Sequence, residues 1–169
     1  MQITMGLFDH MVVQRDAKNR SAALFSGECT DSGSVRVSVT LNGEPVRGFS
    51  GKVVGQAARG KMNGSIDGLP VGGPYELTLS VGDQSAVVKD LLVGDVWLLG
   101  GQSNMQGCGL FPKKRPVADK EVRAFYMDDR WGVAKDPIHN MWQCVDQVHI
   151  DLQGGVRSAK PAPDWGVCP

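Results

Sequence analysis

Ser103 stands in Gly100-Gly101-Gln102-Ser103-Asn104-Met105-Gln106-Gly107, a glycine-rich stretch that follows the apolar run Val96 to Leu99. A serine hydroxyl is a poor nucleophile alone. It becomes a good one when a base takes its proton, a further group orients that base, and N–H donors meet the oxyanion developing on the substrate. Ser103 can supply the attacking oxygen and one backbone N–H of the oxyanion hole. Beside it, Gln102 is a candidate to line the pocket, and Asn104 to fix the turn or cap a helix. His10, His139 and His149 are the available histidines. Two follow an aspartate by three residues, in Asp136-Pro137-Ile138-His139 and Asp146-Gln147-Val148-His149. An aspartate so placed can hold one ring nitrogen and stabilise the imidazolium. His10 is expected in a structural or surface role. No His pair at i, i+4 and no Cys-x-x-Cys spacing points to a metal site.

These groups need elements to hold them. Val96 to Leu99 combines β-branched, aromatic and aliphatic residues, which predicts a buried strand. Gly100 and Gly101 end it and permit a tight turn with close backbone approach. Ser103 to about Gly109 then opens a first helix region, kept short or irregular by Gly107 and Gly109. Val122-Arg123-Ala124-Phe125-Tyr126-Met127 predicts the next strand, parallel to the first by the crossover rule. Periodicity fades after Asp128, and Ser158 to Pro163 is expected to be loop.

Upstream, the pattern is that of a β-sandwich. Ala22 to Gly27 is a plausible strand, and Val35 to Leu41 alternates apolar and polar with period two. Asn42-Gly43 is a hairpin turn signal, because both central residues of that turn need positive φ. Lys61 to Ile66 is a weaker strand. Tyr75 to Val81 alternates cleanly, Gly82-Asp83 turns the chain, and Ser85 to Val93 returns it. Glycine is 22 of 169 residues, well above an average of about 7%, as suits a turn-rich β protein.

A serine presented in a sharp turn after a buried strand is the arrangement of α/β hydrolases, whose Gly-x-Ser-x-Gly pattern Gly101 meets and Met105 does not. Gly94-Asp95-Val96-Trp97 followed by Gly101-Gln102-Ser103-Asn104-Met105 instead resembles the first motif of the SGNH (GDSL) hydrolases. Within them it is most similar to the sialate O-acetylesterase and carbohydrate acetylesterase branch. Leu7-Phe8-Asp9-His10-Met11-Val12-Val13-Gln14-Arg15 is similar to the opening of that branch. Gly72-Gly73-Pro74-Tyr75-Glu76-Leu77 and Leu91-Leu92-Val93-Gly94-Asp95-Val96-Trp97 also match its habits.

The resemblance implies hydrolysis of an O-acetyl ester on a sugar through an acetyl-enzyme at Ser103, with no metal or organic cofactor. The partner is then an O-acetylated carbohydrate. The family completes its oxyanion hole with a glycine and an asparagine on later loops, and takes its base from a late Asp-x-x-His. Those motifs normally fall beyond Pro169, so the chain is expected to be the truncated N-terminal part of an esterase, with little activity alone. His139 and His149 come sooner than the family's base; Asp146 and His149 are the base candidates of a minimal esterase. The expected fold is mixed β and α/β: a β-sandwich over residues 1–92, then the incomplete start of a flavodoxin-like domain over residues 93–169. The alternative is a non-catalytic β-sandwich that binds carbohydrate or another partner and carries a vestigial esterase motif.

Charge excludes other classes. Formal net charge is zero, and no basic run exceeds Lys113-Lys114-Arg115 between two prolines, which argues against nucleic acid or an anionic membrane as partner. No apolar run approaches the roughly 20 residues of a membrane span. No basic stretch precedes an apolar core at the N-terminus, so no signal peptide is visible; the family is often exported, and the compartment stays open. Cys29, Cys108, Cys144 and Cys168 are expected to be buried thiols, with a Cys108–Cys144 disulfide conceivable on export. Trp131 and Trp142 are expected to pack in the core or to offer a face to a sugar ring.

Overall fold

The computed structural model describes residues 1–101, 117–135, 138, 143–152 and 155. The chain divides into two compact units, Met1–Val96 and Trp97–Pro169.

The first unit is built from nine strands: β1 (Gln2–Met5), β2 (Val12–Gln14), β3 (Arg20–Glu28), β4 (Gly33–Leu41), β5 (Glu44–Pro45), β6 (Lys52–Ala58), β7 (Lys61–Pro70), β8 (Gly72–Val81) and β9 (Gln84–Gly94). They form one hydrogen-bonded sheet in the order β1-β3-β7-β6-β4-β8-β9-β2, with β5 paired to β4. All pairs are antiparallel except β2 with β9, which is parallel.

Period-two patterning sets the inner face. Val35, Val37 and Val39 of β4 are buried, as are Tyr75, Leu77, Leu79 and Val81 of β8, while Arg36 and Glu76 between them face out. Phe25 of β3, Met62 and Ile66 of β7, and Val13 of β2 join the same core. Residues from every part of the strand order meet in one cluster, which a single sheet achieves only by curling around it. A bridge from Arg15 to Ser21 ties the chain just past β2 to the start of β3, while β1 pairs with the far end of β3. The all-β build agrees with the β-sandwich expected of this part, its strands joined here in one curled sheet.

Two local features make the curl possible. The β3–β7 register shifts between Arg20 and Ala22, a bulge that bends the strand. There the buried Ser21 hydroxyl donates to the Ile66 carbonyl (2.9 Å) and accepts from the Leu69 N–H (3.0 Å), replacing the ladder bonds lost at the bulge. Gly64 on β7 lies over Phe25: a Cβ there would sit 2.7 Å from the ring and 2.2 Å from the Val54 carbonyl oxygen.

The flavodoxin-like start expected after Val93 is not what the described residues form. Val96 to Leu99 has no regular secondary structure, and Trp97 and Leu98 are 81% and 97% exposed. The reason lies in the ladder. β2 ends with Gln14 opposite Gly94, and β8 begins with Gly72 opposite Val93, so both neighbours of β9 run out where the motif begins. An apolar run without a neighbouring strand to pair with its backbone does not become a buried strand.

The second expected strand is also changed. β10 (Arg123–Phe125) pairs antiparallel with β11 (Trp131–Val133), not parallel with an earlier strand. A turn closes the hairpin locally: Asp129 N–H donates to the Tyr126 carbonyl (3.0 Å), Tyr126 N–H to the Arg130 carbonyl (2.8 Å), and Asp129 takes φ 59°. One helix, α1 (Gln147–Leu152), completes the described part of this unit.

Candidate active site

Ser103, Gln102 and Asn104 lie outside the described residues, as do Asp136, His139, Trp142, Cys168, and Cys108 with its conceivable disulfide to Cys144. What the structure describes is the β unit up to Val96, where three separated sequence motifs meet along the end of β9. Val13 of the first motif and Gly72 of the second both stand in register with Val93 of the third. Gly73 takes φ 130°, and a Cβ there would sit 2.6 Å from the Leu91 carbonyl oxygen. The glycine pair thus lets β8 begin hard against β9.

The first motif straps β9 along its last residues. Asp9 accepts the Lys89 N–H (2.7 Å), His10 N–H donates to the Lys89 carbonyl (3.0 Å), and Leu92 N–H donates to the Met11 carbonyl (2.9 Å). His10 Nδ1 meets Asp90 Oδ2 at 2.6 Å, with both residues at positive φ. His10 thus sits at the surface of the β unit, bonded to Asp90, in keeping with the structural or surface role expected of it.

Gln14 and Arg15 complete the strap where β9 ends. Arg15 N–H donates to the Gly94 carbonyl (2.8 Å). Its guanidinium grips Asp95 with two bonds, Nε to Oδ1 at 2.9 Å and Nη2 to Oδ2 at 3.2 Å, and its Nη1 bonds the Asn19 side-chain oxygen. The Gln14 amide accepts the Val96 N–H (2.8 Å) and donates to the Arg15 carbonyl (2.9 Å). The bond from Arg15 holds the Asp95 carboxyl below its ordinary value. Sequence patterning does not single out this cluster, because its halves lie eighty residues apart. The available signal is that each half puts a charged residue two positions past an apolar run, Arg15 after Met11 to Val13 and Asp95 after Leu91 to Val93.

Asp146 and His149, the base candidates, are together. His149 Nδ1 lies 2.7 and 2.8 Å from the two Asp146 oxygens. An ionised carboxylate only accepts, so Nδ1 carries the proton in this contact. Asp146 also accepts the backbone N–H of His149 at 3.0 Å. That is the bond of an N-cap residue, three positions before its partner at the start of α1. The backbone bond first, then the ring bond, hold the Asp146 carboxyl low. The pair is thus brought together by a helix cap.

Elsewhere, Phe125 and Trp131 face one another across the hairpin with ring centroids 5.6 Å apart and planes at 53°. The Tyr126 hydroxyl donates to the Val133 carbonyl (2.7 Å) and accepts the Lys135 N–H (3.0 Å). Cys29 and Cys144 are buried. Among the described residues no group of three or more His, Cys, Asp or Glu could hold a metal ion, and no helix is long and apolar enough to cross a membrane.

Residues 93–158 match the carbohydrate esterase, sialic acid-specific acetylesterase family, in agreement with the resemblance carried by Gly94 to Gly107. Among solved structures, the chain is similar to a carbohydrate acetylesterase from Xanthomonas citri, at 29% identity and a TM-score of 0.40, over 62% of this chain and 21% of that one. The chain thus spans about a fifth of that protein's length. No curated protein matches it.

Proposed function

We propose, from the family match over residues 93–158, that this chain carries the nucleophile segment of a serine carbohydrate acetylesterase, with Ser103 as nucleophile. The Ser103 oxygen attacks the acetyl carbonyl carbon of an O-acetylated sugar. The ester C–O bond breaks, the sugar oxygen leaves with a proton, and acetyl-Ser103 remains. Water then attacks that acetyl group, releasing acetate and restoring the hydroxyl. Gln102 and Asn104 flank the reacting centre, and the Ser103 N–H is one donor to the oxyanion. The family match carries this reading, because it spans Ser103 and its neighbours.

The test is acetate release from an O-acetylated sialic acid and from an activated acetate ester, by the chain and its Ser103→Ala variant. The expected rate is below the roughly 1 s⁻¹ at which ordinary turnover begins, and most of it is lost in Ser103→Ala. An unchanged rate in Ser103→Ala overturns the reading, and sugar binding with no Ser103-dependent release supports a binding module instead.

A second reading, favoured by the 2.7 Å contact of His149 with Asp146, makes that pair the base of a minimal esterase. His149→Ala separates the two. Loss equal to that of Ser103→Ala establishes the pair as base; an unchanged rate leaves it as the cap of α1.

A further inference from the structure

Residues 1–15 close the curled sheet, and all their partners in it lie elsewhere in the sequence. β1 pairs with the end of β3, at Ser26 to Glu28, and β2 pairs with the end of β9, at Leu92 to Gly94. Between them Gly6 lies hard against β3, where a Cβ would sit 1.9 Å from the Leu24 carbonyl oxygen, and Asp9 to Met11 bond Lys89 and Leu92 of β9. The segment thus fills the seam between β3 and β9, which β1 and β2 flank at the two ends of the sheet order. Its Leu7 and Val13 are buried in the core. Its last polar bonds, Gln14 to Val96 and Arg15 to Asp95, span about eighty residues. What joins the segment to the rest of the unit is slight. Asp16 to Asn19 are exposed and add nothing to the core. The turn is held mostly by its own bonds: Asp16 N–H to the Arg20 carbonyl (2.8 Å), Asn19 N–H to the Asp16 carbonyl (3.0 Å), and the Asp16 carboxylate accepting from the Lys18 and Arg20 N–H groups (2.8 and 2.9 Å). Outside the turn, the Asn19 carbonyl accepts the Val71 N–H (3.2 Å). Asn19 takes φ 58°, the left-handed region that costs a non-glycine residue about 1 kcal/mol.

A segment whose contacts lie far away in sequence, and which hangs on a short exposed turn, has the anatomy of an exchangeable element. When the turn opens into extended chain, the segment no longer folds back and its own seam is left open. The same segment of a second copy fills that seam with every contact remade. We propose that residues 1–15 are such an element: they close the seam of their own copy or that of a second copy of this chain, giving a swapped dimer hinged at Asp16–Asn19. The exchange involves only the β unit and stands apart from the esterase reading.

The experiment uses the full chain. Lys18→Pro together with Asn19→Pro opens the turn: proline cannot take the φ of Asn19, lacks the N–H that closes the turn, and favours extended chain. The expected result is a dimer by light scattering at a concentration where the wild type is a monomer. A charge swap then tells exchange from ordinary association. Arg15→Glu and Asp95→Arg each set like charges opposite one another in a self-closed copy or a homodimer. In a swapped heterodimer of the two, the introduced carboxylate meets the introduced guanidinium, and the native Arg15 meets the native Asp95. The two variants, both carrying the prolines, are refolded together and weighed by native mass spectrometry. Random pairing gives as much heterodimer as both homodimers combined. Exchange should raise that ratio about threefold, and high salt should return it toward equality. Where the proline chain does not refold, the same two charge variants without the prolines are refolded together at high concentration and read in the same way. Dimer at the random ratio overturns the exchange, and so does monomer alone with native circular dichroism in either format.

Discussion

Leu91-Leu92-Val93 and Val96-Trp97-Leu98-Leu99 are alike in composition and separated by two residues, yet the first is buried and the second exposed. Hydropathy does not distinguish them. The first has β8 on one side and β2 on the other, in register, and the second has neither. Apolar residues become a strand when backbone partners and a covering face both exist, and here the partners end at Gly94. The stretch that matches the carbohydrate esterase family, residues 93–158, therefore begins where the β unit's ladder stops.

The largest effect expected of this contrast is on stability. Leu77, fully buried opposite Val39 and Val88, should cost about 2–5 kcal/mol on truncation to alanine. Leu98→Ser should change stability by no more than about 0.5 kcal/mol, as an exposed substitution does. Urea unfolding followed by circular dichroism reports both. A cost for Leu98→Ser near that of Leu77→Ala would mean that the exposed run has partners after all, and the contrast would collapse.

Ser21 sharpens the same comparison with a polar group. Its hydroxyl serves two backbone groups at the β3 bulge, so Ser21→Ala should leave both buried and unmatched, at a cost of about 1–3 kcal/mol. Ser65 of β7 is half-buried, its hydroxyl bonded to the Asp67 side chain at the surface, and should tolerate alanine within about 0.5 kcal/mol. Chemical unfolding of the two variants side by side decides; equal costs would show that the bulge draws nothing from the Ser21 hydroxyl.

The strands legible in the sequence were those with a clean period of two. Val35 to Leu41 and Tyr75 to Val81 fall within β4 and β8, and Asn42-Gly43 turns with φ 53° and 84° as that turn requires. β1, β2 and β6 were not legible, because three- and four-residue strands show no period and Gly55 interrupts β6. The flavodoxin-like start was misread because strand character was assigned to Val96–Leu99 without asking what would pair with it. The Asp146–His149 contact was foreseen by spacing, but three-residue spacing serves a helix cap as readily as a catalytic base. Arg15 and Asp95 could be quoted as motif members, while their pairing needed the parallel β2–β9 register that no local pattern encodes.

The smallest expected effect lies at α1, whose cap comes from its own preceding residue, whereas β9 is held by residues far away in sequence. The carboxyl of Asp146 is held below its ordinary value of 3.8, chiefly by the His149 N–H. A group depressed in the folded state contributes stability that is fully present above the ordinary value. That contribution is lost as pH falls through the lower, folded one. Exchange protection of the α1 amides should therefore hold near neutrality and weaken as pH drops from about 4, after correction for intrinsic rates. Asp146→Asn should remove this pH dependence while leaving a weaker cap, since an asparagine side chain still accepts from the helix N–H groups. Protection in β4 and β8 should be the same in both proteins. A fall in β4 protection in Asp146→Asn would show that α1 supports the sheet. An unaltered acid profile of α1 would show that the cap carries no charge-dependent share of its stability.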